Sequence, residues 1–268
     1  MSRNPAPFAA FEWMIAWRFL RARRAEGGVS VMTWISLIGI TLAVFALIAT
    51  LAVRSGFRSE LVDTILGANA HITVYQLPIA NEAGKLDRKI YDYQDMADRL
   101  RALPSVSRAA PLVKGQVMAS FGGKNTGVQV FGLSQEDLNT LPRIVAPENF
   151  QGRIEDFDRG IAIGSGVARL LNARLGDSIK LISPDGVKTA FGISPRVKSY
   201  PITYIFTAGR YDIDKTRLYM PFSEAQAYFN TEGAADEIEV MVTNPEQIEA
   251  LTPDLLHAAG PRAQLWSW

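Results

Sequence analysis

The chain has 268 residues, 48% hydrophobic and 21% charged, with a formal net charge of +1. This composition suits a globular chain rather than a disordered one, and it lacks the concentrated basic surplus that nucleic-acid binding needs. There is no cysteine, and His71 and His257 stand in no metal-ligand spacing, so disulfides and thiolate chemistry are excluded and zinc has no ligand set.

Residues 1–28 open the chain as a cationic segment. Phe8, Phe11, Ile15 and Phe19 recur at helical spacing, with Trp13, Trp17 and Leu20 alongside. Tryptophan and arginine in this mixture suit an amphipathic helix at the level of lipid headgroups. From Val29 to Val53 no residue is charged. About 20 apolar residues cross a hydrocarbon core, so residues 29–53 are expected to form a transmembrane helix. A cleaved signal peptide would have a shorter apolar region of about 7–15 residues. Arg3, Arg18, Arg21, Arg23 and Arg24 precede the span against only Glu12 and Glu26, which predicts a cytoplasmic N-terminus. Val53, Phe57, Leu61, Ile65 and Leu66 continue a helical stripe through residues 54–69. This reads as an amphipathic stalk, with Phe57, Leu61 and Ile65 facing a partner helix.

Residues 70–268 alternate strands and helices, an α+β pattern of mixed sheets. AHITVYQ reads as a strand, LPIANEAGKLDRK as an exposed loop and DYQDMADRLRAL as a helix stopped by Pro104. PLVKGQVMASF and TGVQVFGL form a hairpin around the GGKN turn. A subdivision is expected near 135–159. Beyond it, GIAIG is a strand and GVARLLNARL a helix capped by Ser165 and ending near Gly176. SIKLIS, ITYIFTAG and TRLYMPF are strands, SEAQAYFN a helix opened by Ser223, IEVMVT a strand, PEQIEALTPDLLHAA a helix and AQLWSW a last strand.

No catalytic constellation assembles. GGKN and AGKL lack the earlier glycine and the following Ser/Thr of a phosphate loop, and IGSG lacks the spacing of a nucleophile elbow. Asp212 and Asp214, with Arg210, Lys215 and Arg217 nearby, read as a solvated salt-bridged loop. A membrane-anchored enzyme is therefore disfavoured, and no cofactor is expected in this polypeptide. One insertion stands out: PDGVKTAFGISPRVKSYP, residues 184–201, with three prolines and two glycines where a simple hairpin needs about 2–5 loop residues. Phe191 and Ile193 lie near its tip, and Lys188, Arg196 and Lys198 give it a positive base. Such a protruding hairpin arm suits docking of a partner with an acidic rim by added strand pairing, the alternative being a variable surface loop.

The stretch WISLIGITLAVFALIATLAVRSGFRSELVDTILGANAHITVYQ resembles the first membrane helix and stalk of LolC/LolE lipoprotein-releasing permeases, with Gly39, Gly56-Phe57, Leu66 and His71-Ile72 in family positions. FEWMIAWRFLRARR, RLGDSIKLISP and TAGRYDIDKTRLYMPFSEAQAYF match as well, and the later domain is similar to the periplasmic core of MacB-type exporters. The resemblance implies an ABC transporter permease of the bacterial inner membrane. It would pair with a second permease subunit, homodimer, heterodimer or LolC/LolE hybrid, and would leave ATP to a separate LolD-like ATPase. Triacylated lipoproteins would pass to a LolA-like periplasmic carrier. It also implies that the arm at 184–201 is a carrier-capturing hook through Phe191, Gly192, Ile193, Pro195, Arg196 and Lys198, with Lys180 and Lys198 as a flanking basic pad. Val197 departs from the polar residue the pad calls for. The family has three further membrane helices after the periplasmic domain, so a chain stopping at Trp266-Ser267-Trp268 is expected to be a fragment or a truncated product. A MacB-like exporter acting on peptides or small molecules, without a carrier, is the alternative.

Overall fold

The computed structural model describes residues 10–21, 27–66, 70–80, 84, 86–145, 150–189 and 192–267. Two compact units emerge, Met1–Ser59 and Glu60–Trp268. The first holds α1 (Ala10–Arg21) and all but the last residues, Glu60–Leu66, of α2 (Gly27–Leu66), a continuous helix of 40 residues. At 1.5 Å per residue α2 is about 60 Å long, roughly twice the hydrocarbon thickness. Val31–Phe57 is long and apolar enough to cross a membrane, and its most apolar window has no buried residue. This stretch runs one turn past the expected Val53, through Arg54. Thr41 and Thr50 satisfy their hydroxyls by donating to the carbonyls of Leu37 and Ala46, both at 2.7 Å, so neither leaves an unpaired polar group in an apolar setting. Phe57 is exposed on this helix. The side chains of Leu61 and Ile65 lie outside the described residues.

The second unit is organised by one long strand. β1 (Ile72–Gln76) pairs antiparallel with β12 (Ala263–Ser267) and β11 (Glu237–Val242), and β11 pairs antiparallel with the first half of β4 (Val106–Phe121). α3 (Tyr93–Arg101) and α9 (Ile248–Ala259) contribute Met96, Leu100 and Leu255 to a core with Ile72, Val74 and Val240. The second half of β4 turns into β5 (Lys124–Leu133) through Gly122 and Gly123, whose φ values of 57° and 80° fit the two-residue turn that matches strand twist.

From there the strands close on themselves. β5 runs parallel to β10 (Arg217–Pro221), and β10 antiparallel to β7 (Ile161–Gly164). β7 is parallel to β9 (Gly192–Phe206), β9 antiparallel to β8 (Ser178–Thr189), and β8 antiparallel to β4 over Lys180–Ile182. Val117, Val130, Ile163, Leu181, Ile202 and Met220 from this ring share a buried cluster with Val167 and Leu171 of α6 (Ser165–Leu171) and with Ala225 and Tyr228 of α8 (Phe222–Phe229). Tyr204, Phe206 and Tyr219, facing the other way, pack with Leu138 of α4 (Gln135–Asn139), Ile144 of α5 (Pro142–Val145) and Phe157 of a 3-10 turn. β6 (Phe150–Gly152) adds to the edge of β9.

Several expectations need correction. Residues 135–159 do not separate two units. They cover one side of the sheet, whereas the distinct core of the α3–α9 layer is built from both ends of the domain. The loop 77–89 contains a two-residue ladder, β2 (Ile79–Ala80) with β3 (Leu86–Asp87). The helix after GIAIG ends at Leu171, because Asn172 takes the left-handed conformation (φ 56°), and Gly164 rather than Ser165 is its cap residue. RYDID is no loop: α7 (Tyr211–Thr216) forms there and buries Asp214. A Cβ at Gly164 or Gly166 would come within 2.3 Å or 2.7 Å of the Asp214 carbonyl oxygen, so the IGSG glycines serve close approach of α7.

Candidate partner-docking site

The expected hairpin arm at 184–201 belongs to the β8–β9 hairpin. β8 and β9 pair from Ser178↔Pro201 to Ser183↔Arg196, shift register, and resume at Val187↔Ser194 through Thr189↔Gly192. Proline is tolerated at bulges and unpaired edges, which is why Pro184 and Pro195 sit beside the irregularity without ending the hairpin. β8 is held by β4 at Lys180–Ile182; beyond Ser183 it pairs, among the described residues, with β9 alone. The arm is therefore a two-stranded ribbon growing out of the closed ring. Phe191 lies outside the described residues. Gly192 and Ile193 are in β9, opposite Thr189 and Lys188.

The two faces of the hairpin base differ. Period-2 alternation puts Ile179, Leu181 and Tyr200 on the buried face, and Lys198 and Arg196 share that parity on β9. Both cations are used by α8. Arg196 Nη1 donates to the carbonyls of Ala227 (2.9 Å) and Tyr228, and its Nη2 donates to Asn230 Oδ1 at 3.0 Å. Asn230, in the left-handed conformation (φ 60°), terminates α8, so Arg196 satisfies carbonyls that a helix end leaves without partners. Lys198 donates to Glu224 Oε1 at 2.5 Å and lies 5.3 Å from the centre of the Tyr200 ring, while the Tyr200 hydroxyl donates to the same carboxylate at 2.8 Å. Burial alone would raise the Glu224 carboxyl, but the bonds from Lys198 and Tyr200 outweigh it and hold the group below its ordinary range. Burial, then the bond to Glu224, pushes the Tyr200 phenol far up.

The opposite face carries Lys180, Ile182 and Val197, with Met118 and Ser120 of β4 alongside in register. Lys180 is exposed, and Met118 and Val197 are 42% and 56% exposed. A cleft of about 600 Å³ opens here, lined by Gln116, Met118, Gln129, Ile182, Pro184 and Pro195 among others. None of these carries a charge. Among the described residues, this lining can accept apolar groups of a partner and offers the side-chain amides of Gln116 and Gln129.

The proposed site residues are thus only partly brought together. Lys180 and Lys198, expected as one basic pad, have opposite parity, and Arg196 and Lys198 are engaged within the fold. Pro195 is exposed at the cleft. Met118, Gln116, Gln129 and Ile182 escaped the sequence reading. One signal was available: in VKGQVMASF, Met118 is the apolar residue on the otherwise polar side of the alternation. Elsewhere, His71 Nδ1 accepts the Val242 amide at 3.1 Å, a strand-locking contact, and burial lowers its pKa. Asp214 accepts the Ala208 amide at 2.7 Å, and burial raises its carboxyl pKa despite that bond. Asp212 pairs with Arg210 at 2.8 Å.

The model of the MacB-like periplasmic core domain matches residues 33–258. The chain belongs to this family. Over 260 residues it is 26% identical to the lipoprotein-releasing system transmembrane protein LolC of Neisseria meningitidis serogroup B, covering 96% of this chain and 60% of that protein. It is 28% identical over 218 residues to LolE of Haemophilus influenzae, covering 81% of this chain and 51% of the relative. The periplasmic region of MacB from Actinobacillus actinomycetemcomitans aligns with 78% of this chain and 94% of its own, at 11% identity and a TM-score of 0.49. As the resemblance implied, a LolC/LolE-like sequence combines an N-terminal membrane helix with a mixed α/β periplasmic core domain. The chain spans between half and two thirds of the length of these curated relatives.

Proposed function

We propose that the chain is the permease subunit of an inner-membrane ABC transporter that extracts lipoproteins and hands them to a soluble periplasmic carrier. The observation that carries this reading is 26% identity to LolC over an alignment that covers 96% of the chain. The N-terminus faces the cytoplasm, following the arginines before the span, and the core domain lies in the periplasm. ATP is hydrolysed by a separate LolD-like subunit, and a second permease subunit supplies the partner for the stripe Phe57–Leu61–Ile65. The arm receives a LolA-like carrier, with Phe191, Gly192 and Ile193 as its contact residues. The uncharged cleft with Met118, Ile182 and Pro195 takes apolar groups of the carrier, and Lys180 meets an acidic rim.

The test is binding of the LolA-like carrier to the full chain in nanodiscs, with and without deletion of residues 186–194, which spares Arg196 and its helix contacts. Binding lost on deletion, with unchanged thermal unfolding, supports the carrier-docking subunit. Absence of binding by the intact, folded chain rejects it in favour of a MacB-like exporter that uses no carrier.

A further inference from the structure

The arm leaves the ring at one residue pair. β4 holds β8 as far as Ile182, which faces Met118, and Val197 of β9 lies opposite Ile182. Going outward along the hairpin, Ser183↔Arg196 is the first pair beyond β4, and the register breaks immediately after it. On its other edge β9 meets β7 only from Ile202 onward. A two-stranded ribbon is marginally stable by itself, and a bulge bends the strand that carries it. Strand pairing among the described residues therefore leaves the tilt of the ribbon beyond Ser183 open.

A side chain closes that freedom. At the root pair, Arg196 reaches three acceptors of α8 with one guanidinium: the Ala227 carbonyl at 2.9 Å, the Tyr228 carbonyl, and Asn230 Oδ1 at 3.0 Å. The helix is a fixed post. Ala225 packs where Gly132 of β5 has no side chain, Phe229 does the same over Gly115 of β4, and the buried Gln226 amide donates to the Ala234 carbonyl at 2.9 Å. A planar guanidinium bound at three points fixes direction as well as distance, which a flexible ammonium does not. Lys198 differs in place as well as in chemistry. It lies opposite Leu181, where β4 already holds the hairpin from the other side, so its bond to Glu224 adds nothing to the angle.

We propose that Arg196 is the positioning residue of the arm: its three bonds to the end of α8 fix the angle at which the β8–β9 ribbon leaves the ring. The functional consequence rests on the reading of the arm as a carrier-docking element, whereas the angle is measured without a carrier. Because the chain lacks cysteine, Ser194→Cys on the arm and Asn139→Cys on α4, both at exposed positions, can carry spin labels in the full chain in nanodiscs. The labelled chain is diluted with unlabelled chain, and the distance distribution is read by pulsed electron spin resonance. Asn139→Cys with Leu170→Cys on α6 is the reference pair within the domain.

Arg196→Met is expected to at least double the width of the 194–139 distribution and to leave the reference pair unchanged. Asn230→Gly keeps the left-handed turn and deletes only the side-chain acceptor, so it should broaden the same distribution by less. Glu224→Gln should not broaden it. Affinity for a LolA-like carrier should fall about fivefold in Arg196→Met, because only the fraction of arms at the docking angle is competent. The proposal is overturned by an unchanged 194–139 width in Arg196→Met, by equal broadening of the reference pair, or by Glu224→Gln broadening as much as Arg196→Met. If Arg196→Met does not fold, Asn230→Gly decides by the same widths. A carrier that binds neither parent nor variant removes the docking reading and leaves the angle result standing. Unchanged affinity beside a broadened arm removes the functional consequence alone.

Discussion

The two faces of the β8–β9 hairpin are built from neighbouring residues of the same strands and have opposite fates. On one, Arg196, Lys198 and Tyr200 are joined to α8 through Glu224, Asn230 and the last helical carbonyls. On the other, Met118, Ile182 and Pro195 line an open cleft, on the face that also carries Val197 and Lys180. The face rich in cations is the internal one, and the face fit for a partner is mostly uncharged. Positive residues in a surface insertion therefore do not by themselves mark a docking site; register and helix ends decide what their charges are used for.

The strongest way to break this contrast is to unseat α8. A Cβ on Gly132 would come within 2.2 Å of the Ala225 Cβ and 3.3 Å of the Val113 Cβ, and one on Gly115 within 2.3 Å of the Phe229 ring. Gly132→Ala should thus cost about 3 kcal/mol by overpacking, read as a lower unfolding midpoint of the detergent-solubilised protein. Next is Arg196→Met, which removes the donors to Ala227, Tyr228 and Asn230 while keeping an aliphatic stem. A loss of about 2 kcal/mol is expected, since hydrogen bonds from a charged donor contribute more than neutral ones. Lys180→Met, on the other face, should leave the midpoint unchanged.

That difference explains what was legible from the chain itself. The membrane helix announces itself through 25 uncharged residues, and the β4–β5 hairpin through Gly122-Gly123 between alternating strands. The arm was expected over residues 184–201, but Arg196–Pro201 pair with Ser183–Ser178 in the base of the hairpin. A hairpin arm was expected there; the break in its register between Ser183 and Val187, beside the prolines at residues 184 and 195, was not legible. The direction of Lys198 was equally hidden: parity across a hairpin follows from register, and a bulge shifts register without a marker in composition. Asp214 shows the same limit, since nothing local distinguishes it from solvated Asp212; its burial follows from α7 packing against two glycines distant in sequence.

A smaller effect comes from titration on the internal face. The Glu224 carboxyl has a folded pKa below its ordinary value of 4.5. Its stabilisation is therefore complete above the unfolded value and is lost as pH falls through the lower folded value. Glu224→Gln should cost about 0.5 kcal/mol near neutrality, given that Lys198 is largely exposed. The gap between variant and parent should close well below pH 4.5. In a double-mutant cycle, Lys198→Met should add little once Glu224 is neutral; full additivity would mean the two groups do not act together.

The smallest change in stability belongs to the open face and carries the largest functional weight. Met118 is exposed, so Met118→Asp should shift the unfolding free energy by no more than about 0.5 kcal/mol. If the cleft receives apolar groups of a carrier, the same substitution puts a charge against them, and affinity should fall at least tenfold with the loss in the dissociation rate. Lys180→Glu should act differently, slowing association in a salt-dependent manner because a rim charge steers encounter more than it holds the complex. The reverse pattern is equally informative. Suppose Met118→Asp leaves carrier affinity intact, while Lys198→Met, at little cost in stability, abolishes it. The cations would then have to leave α8 when the carrier arrives, and the internal face would be a closed form of the docking surface.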